Sequence, residues 1–298
     1  MKGNSFHKSV MLSEAIGFLQ VKRGKKYIDA TLGGGGHTQE ILKRGGEVLG
    51  IDQDDDALNY IKNKIKSPDL RLIKGNFRNI DKLAISQRFE RVAGVLYDLG
   101  ISSFQIEKDS RGFSFQKEAE LDMRMDPENP APVKASDILN LASERQLYEI
   151  FTEFGEERNS RAISNAVVGA RKIKAIKTTG DLLKIIEDVY GIKGEVSAKT
   201  KADIAKRVFQ ALRIAVNDEL GSLEESLPKA LELLEKEGRI VVISFQSLED
   251  RIVKQTFLEF KNKDLGEIIT KKPVLPSVSE ISDNRRSRSA KMRVFEKK

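Results

Sequence analysis

The chain has no cysteine among its 298 residues. That excludes a disulfide framework, a thiolate-bound zinc and a cysteine nucleophile, and it suits a reducing cytoplasm. Histidine is almost as scarce, with only His7 and His37 present. A histidine-based metal site or a Ser-His-Asp triad would have to use one of these two. Neither has suitable neighbours in sequence, so no metal ligand is assigned. Long apolar runs are missing too: none approaches the about 18 residues that mark a membrane span. The opening Met1-Lys2-Gly3-Asn4-Ser5-Phe6-His7 lacks the apolar centre of a signal peptide. The expectation is a cytoplasmic protein with no membrane partner. Hydrophobic residues make up 39% and charged residues 33%, a globular composition with room for one large domain or two ordinary ones.

The net charge is +7, and its placement matters more than its size. Residues 271–298 hold nine basic and three acidic side chains, which leaves the rest of the chain nearly neutral. Within that stretch Arg285, Arg286, Arg288, Lys291 and Arg293 crowd together. Such a run can bind phosphates; it can equally be a solvated tail.

The most informative stretch is Asp29-Ala30-Thr31-Leu32-Gly33-Gly34-Gly35-Gly36-His37. A β-type run over 26–30 ends in four glycines, a helix is predicted over 38–43, and a second β-type run over 47–52 ends in Asp52. Strand, glycine loop, helix, strand and terminal acid make a nucleotide-binding βαβ unit. Glycine lets a backbone pass close to a bulky ligand with no Cβ in the way. The loop alone would also suit a mobile turn. Asp52 sharpens the reading, because it lies 16 positions beyond Gly36, close to the about 20 typical of a ribose-binding carboxylate. A dinucleotide fingerprint would need a third glycine where Thr38 stands, which disfavours a nicotinamide oxidoreductase. A Walker loop would need Lys-Ser/Thr where His37-Thr38 stands. The pattern points to a nucleoside cofactor with no pyrophosphate to cradle, and S-adenosylmethionine fits that description.

Along the first 100 residues β and α patterns alternate, with a helix over 54–66 and strands over 71–74 and 92–97, which argues for a parallel, doubly wound sheet. After about Gln105 the chain turns polar, then gives helical periodicities over 143–154, 159–173 and 181–190 with no strand between them. Residues 106–205 are therefore expected to form an inserted all-helical domain. Residues 1–105 and 206–298 are expected to form a discontinuous α/β domain. In its second part we expect a helix over 205–217 and another opened by a capping box at Ser222-Leu223-Glu224-Glu225 and closed by Gly238. A buried strand over 239–245 and a helix from about Leu248 follow. Residues 193–201 are the expected flexible loop.

In an open α/β sheet, ligands sit beyond the carboxyl ends of the strands. Four such ends converge here: residues 33–37, Asp52, residues 75–77 and residues 98–105. Phe77 suits the flank of an adenine ring or an ordinary core position. Asp98 suits the site or a helix N-cap.

With these segments assembled, the chain resembles the bacterial 16S ribosomal RNA cytosine N4-methyltransferases over nearly its whole length. The glycine stretch above carries the likeness, together with Asp98-Leu99-Gly100-Ile101-Ser102-Ser103-Phe104-Gln105 and Arg111-Gly112-Phe113-Ser114-Phe115. So do Phe209-Gln210-Ala211-Leu212-Arg213, Ser244-Phe245-Gln246-Ser247-Leu248-Glu249-Asp250-Arg251, and residues 7–12, 121–126, 154–158 and 286–291. The resemblance implies a Rossmann-like class I methyltransferase fold with an inserted helical domain for RNA recognition. It implies S-adenosylmethionine as cofactor, held by Gly34, Gly35, Gly36, His37, Asp52, Phe77, Asp98 and Gln105. The implied partner is 16S rRNA within the small ribosomal subunit, with no DNA, and the implied target is the exocyclic amine of a decoding-centre cytosine at position 1402. Asp98 is the candidate acceptor of the amine proton, with a carbonyl of residues 99–102 as the other choice. Phe104, Phe113 and Phe115 are candidate platforms for an unstacked base. Two rivals stay open at this point: a DNA or protein methyltransferase on the same fold, and a non-catalytic RNA-binding or ribosome-assembly protein with a vestigial cofactor site. The chain departs from the family pattern at Gln246, where histidine is usual, at Phe104, where proline is usual, and at Asp203-Ile204, where His-Pro is common.

Overall fold

The computed structural model describes residues 9–101, 111–129, 133–192, 194 and 197–298. The chain divides into two compact units, Met1–Phe104 with Leu220–Lys298, and Gln105–Glu219.

The first unit is built on one seven-stranded sheet. Its strands are β1 (Lys26–Asp29), β2 (Glu47–Asp52), β3 (Leu70–Lys74), β4 (Val92–Asp98), β5 (Leu234–Ser244), β6 (Gly266–Ile268) and β7 (Lys291–Lys297), in the order β3-β2-β1-β4-β5-β7-β6. The first five are parallel, and β7 runs antiparallel to both β5 and β6. This is the expected doubly wound α/β architecture. The parallel strands read as near-continuous apolar runs because helices cover both faces. One layer packs Ile28, Leu49, Val95, Tyr97 and Val242 against Leu227, Leu231, Val253 and Phe257. The other packs Tyr27, Val48, Leu96 and Val241 against Ile16, Leu19 and Ile41.

The helices of this unit are α1 (Leu12–Leu19), α2 (Gly36–Lys43), α3 (Asp55–Lys64) and α4 (Ile80–Ser86) in its first part. The second unit contributes α5 (Ala135–Leu141), α6 (Glu144–Glu153), α7 (Ser160–Arg171), α8 (Thr179–Val189) and α9 (Ala198–Asn217). Then come α10 (Glu219–Leu233), α11 (Ser247–Asn262) and the short α12 (Val278–Asp283). Among the described residues of the second unit no strand forms; an isolated bridge joins Glu120 and Thr178. Its helices start where side chains supply the free N–H groups with acceptors. Ser143 Oγ accepts from the Gln146 amide at 3.2 Å while Gln146 Oε1 accepts from the Ser143 amide at 2.8 Å. Thr178 and Asp181 make the same exchange for α8. Leu139, Leu147, Phe151, Ile163, Val167, Leu182 and Ile186 are buried.

Several expectations need correction. The boundary placed between residues 205 and 206 falls inside the unbroken helix α9, and the units part at Glu219 and Leu220. Residues 198–201 belong to that helix rather than to a loop, while Lys193, Glu195 and Val196 lie outside the described residues. Ser222 does not cap a helix. It lies inside α10, where it and Ser226 share the buried face: Ser222 Oγ accepts from Asn76 Nδ2 at 3.2 Å, and Ser226 Oγ lies 2.6 Å from the Tyr97 hydroxyl. Gly238 lies within β5 and ends nothing. The helix stops at Leu233 because Lys297 Nζ, from β7, donates to the carbonyls of Leu231, Glu232 and Leu234 at 2.9, 3.3 and 2.7 Å. Nor are residues 271–298 a solvated tail. Lys291–Lys297 form β7, with Met292, Val294 and Phe295 buried, and the turn before it keeps Arg285, Arg286 and Arg288 exposed.

Candidate active site at the carboxyl edge of the sheet

The glycine loop leaves β1 and turns at Gly33 and Gly35, whose φ angles of 47° and 71° are left-handed. Gly35 has a second reason to lack a side chain, since a Cβ there would lie 2.5 Å from Ile61 Cδ1. At Gly36 a Cβ would collide with the Ser9 hydroxyl. The Gly34 carbonyl accepts from Lys64 Nζ at 3.2 Å. Gly35→Ala combines a left-handed backbone with a clash, so it should lower stability by roughly 1–3 kcal/mol. Urea unfolding midpoints measure this, and an unchanged midpoint would contradict it.

Asp52 braces the loop. Its Oδ2 accepts from the Gly33 amide at 2.9 Å and its Oδ1 from the Asp54 amide at 2.9 Å. Each oxygen keeps a second lone pair. Burial pushes its carboxyl up to about 6, against the two amide bonds that lower it. Phe77, half-buried after β3, packs edge-on against Tyr97 with ring centroids 5.7 Å apart.

His37 and Asp98 meet behind the loop. The His37 ring is buried and its Nε2 lies 3.1 Å from the Val10 carbonyl, so that nitrogen carries the hydrogen and Nδ1 is left with a lone pair. Burial lowers its basicity to about 4, which keeps it neutral. Nδ1 faces Asp98 Oδ2 at 3.8 Å, too long for a hydrogen bond. The Asp98 carboxyl is pushed up to about 8, first by burial and then by the negative charges of Asp29, Glu249 and Glu280. Its Oδ1 is buried and finds no hydrogen-bond partner among the described residues. An excess of buried acids around an unsatisfied oxygen suits a cationic ligand. With the close-approach glycines and the Asp52 carboxylate, the donor set fits an adenosyl sulfonium.

Sequence reasoning left three of these acids unassigned. Asp29 is 1% exposed and accepts from Thr38 Oγ1 at 2.7 Å and from the Thr31 amide at 3.3 Å. Its signal was a charge inside an otherwise apolar strand. Glu249, 3% exposed, accepts from the amides of Phe245 and Gln246 at 2.8 and 3.2 Å. Glu280 accepts from the Met11 amide at 2.6 Å across 269 positions of sequence, which no local pattern reveals. Gln105 and Phe104 lie outside the described residues. The other two candidate platforms are packed within the second unit: Phe113 is buried under Arg111, whose guanidinium is 5.4 Å from the ring centre, and Phe115 packs edge-on against Phe209 at 5.5 Å. A separate cleft of about 700 Å3 lies between α10 and α11, and none of the site residues lines it.

The family model of the MraW methylases matches residues 4–298. The chain belongs to that family. Curated relatives extend the likeness along the full length. One is the ribosomal RNA small subunit methyltransferase H of Carboxydothermus hydrogenoformans, 47% identical over 98% of this chain and 97% of that protein. The enzymes of the same name from Brevibacillus brevis and Finegoldia magna are 42% and 40% identical, each over 98% of both chains. Among the described residues no helix is long and apolar enough to cross a membrane.

Proposed function

We propose that this chain transfers a methyl group from S-adenosylmethionine to the exocyclic N4 amine of a decoding-centre cytosine in 16S rRNA of the small ribosomal subunit. The observation that carries the reading is the buried Asp98 Oδ1, which has no partner among the described residues, beside a glycine loop braced by Asp52. The names of the relatives support the substrate. When bound, the cofactor supplies an already electrophilic methyl group, so the protein's task is alignment and proton handling.

Gly34, Gly35 and Gly36 let the main chain approach the cofactor. Asp52 offers its remaining lone pairs to the ribose hydroxyls while keeping its bonds to Gly33 and Asp54. We assign Phe77 to the adenine flank, and Gln105, outside the described residues, to cofactor binding on the family resemblance alone. His37 stays neutral and acts by position, filling the space behind Asp98. The amine of cytosine is a weak nucleophile, since its lone pair is shared with the ring. An acceptor on its N–H localises that pair, and the nitrogen must shed a proton as it gains the methyl group. A cation bound beside four acids favours ionised Asp98, whose Oδ1 then accepts that proton.

Small subunits lacking the modification, incubated with the protein and a tritiated methyl donor, should yield labelled N4-methylcytidine on nucleoside analysis. Label in another nucleoside, or none, would overturn the reading.

A further inference from the structure

Asp98 and Gln246 stand at the carboxyl ends of neighbouring strands. Asp98 is in register with Ile243, and the Leu99 amide donates to the Ile243 carbonyl at 2.9 Å; Gln246 follows three positions on. Both carry a side-chain oxygen that is buried and has no hydrogen-bond partner among the described residues, Asp98 Oδ1 and Gln246 Oε1. Buried acceptors in native proteins are nearly always satisfied. No described residue satisfies either one, and two such acceptors at one sheet edge suit the donors of a ligand.

The Gln246 amide is held in one orientation. Its Nε2 donates to Glu249 Oε1 at 2.9 Å, and turning the amide over would set oxygen against carboxylate. Glu249 is itself fixed by the Phe245 and Gln246 amides on the first turn of α11. With Nε2 so engaged, Oε1 is left without a partner among the described residues. Glu249 also bears electrostatically on Asp98, in keeping with the adjacency of the two strand ends.

We propose that Gln246 Oε1 accepts one N–H of the target's exocyclic amine and thereby selects an amino pyrimidine over a keto pyrimidine. The inference rests on the methyltransferase reading above. An amino group carries two hydrogens, one for each free oxygen. A carbonyl in the same place would set a third acceptor against two. Gln246 is neutral, so it orients the amine without competing for the proton that Asp98 takes.

The test uses the full-length protein, small subunits lacking the modification, and calorimetry of cofactor binding. Gln246→Met keeps the side-chain length and removes the acceptor. It should lower kcat/KM for methyl transfer roughly 10- to 100-fold, with cofactor affinity within about twofold. Gln246→His, whose neutral ring again offers an acceptor, should recover most of the loss. A purely structural role would not be rescued in this way. Independently of any variant, subunits reconstituted with uridine at the target position should compete for the unsubstituted protein at least about 10-fold more weakly than those with cytidine. Wild-type transfer by Gln246→Met, an equal loss in cofactor affinity, or equal competition by uridine would each overturn the proposal. If the unsubstituted protein makes no N4-methylcytidine, the function itself falls and the proposal with it. If it does and Gln246→Met is unimpaired, the proposal falls alone.

Discussion

Removing the residues after Asp283 is expected to leave no folded protein. The segment carries β7, which bonds to β5 along residues 239–244 and to β6 along residues 266–268, so its loss exposes two strand edges at once. Phe295 is fully buried against Phe257 and Phe260, with ring centroids 5.4 and 5.5 Å away. Phe295→Ala alone should cost about 3–5 kcal/mol, a large share of the roughly 5–15 kcal/mol that holds a domain together. Arg293 adds a second loss. It is 8% exposed and donates to both oxygens of Asp250, at 2.6 and 3.2 Å. That pairing holds the Asp250 carboxyl below its ordinary range, and cutting it strands a buried charge. Lys297 goes too, and with it the three carbonyl bonds that stop α10. Circular dichroism on heating should show no cooperative transition for the truncated chain and a lowered one for Phe295→Ala. A truncated chain that melts like the full-length protein would refute the account. The basic turn at Arg285, Arg286 and Arg288 must therefore be tested for phosphate binding by charge reversal in place.

Asp98→Asn should abolish methyl transfer while making the cofactor-free protein more stable above neutral pH. A positioned proton acceptor contributes about 100-fold or more, so the loss of rate should reach at least that. The gain in stability follows from linkage. In the folded chain the Asp98 carboxyl is raised to about 8, while in the unfolded chain it ionises near its usual value. Between those two values the folded state holds a proton that the unfolded state has released, so stability falls as pH rises and levels off above about 8. Asp29 and Asp52, each raised to about 6, act in the same direction but fade by about pH 7. His37 works oppositely: lowered to about 4, it lets stability rise with pH from there to its ordinary titration near 6.5. The interval from about 7 to 8 is governed mainly by Asp98, with a slope of at most about 1.4 kcal/mol per pH unit. Urea midpoints at those two pH values should differ for the unsubstituted protein and much less for Asp98→Asn. Equal pH slopes would refute the buried-acid account. A variant that keeps both cofactor affinity and methyl transfer would remove Asp98 from the site.

How much of this was readable in advance depended on the range of the interactions. The strands at 26–29, 47–52, 70–74 and 92–98 and the helices α2 and α3 followed from periodicity and composition, because each is specified by neighbours within a few positions, whereas the short α4 gave no such signal. Asp52 was legible for the same reason, through its spacing from the glycine loop. The basic run at the end of the chain was misread because charge dominates its composition, while alternate residues, Met292 and Val294, face the core. Ser222 fitted a local capping rule, but the buried amide of Asn76 and hydroxyl of Tyr97 required serines on the inner face of α10 instead.

The sequence by itself determined the α/β class, the glycine loop and the acid that braces it, since glycine's freedom and the alternation of strand and helix are local properties. Only the tertiary structure decided that the last strand enters the sheet, that Glu280 reaches Met11, and that an oxygen of Asp98 and one of Gln246 find no partner among the described residues. Those outcomes depend on which buried groups find partners across the fold, and satisfaction of a buried polar atom is a property of the whole packed chain.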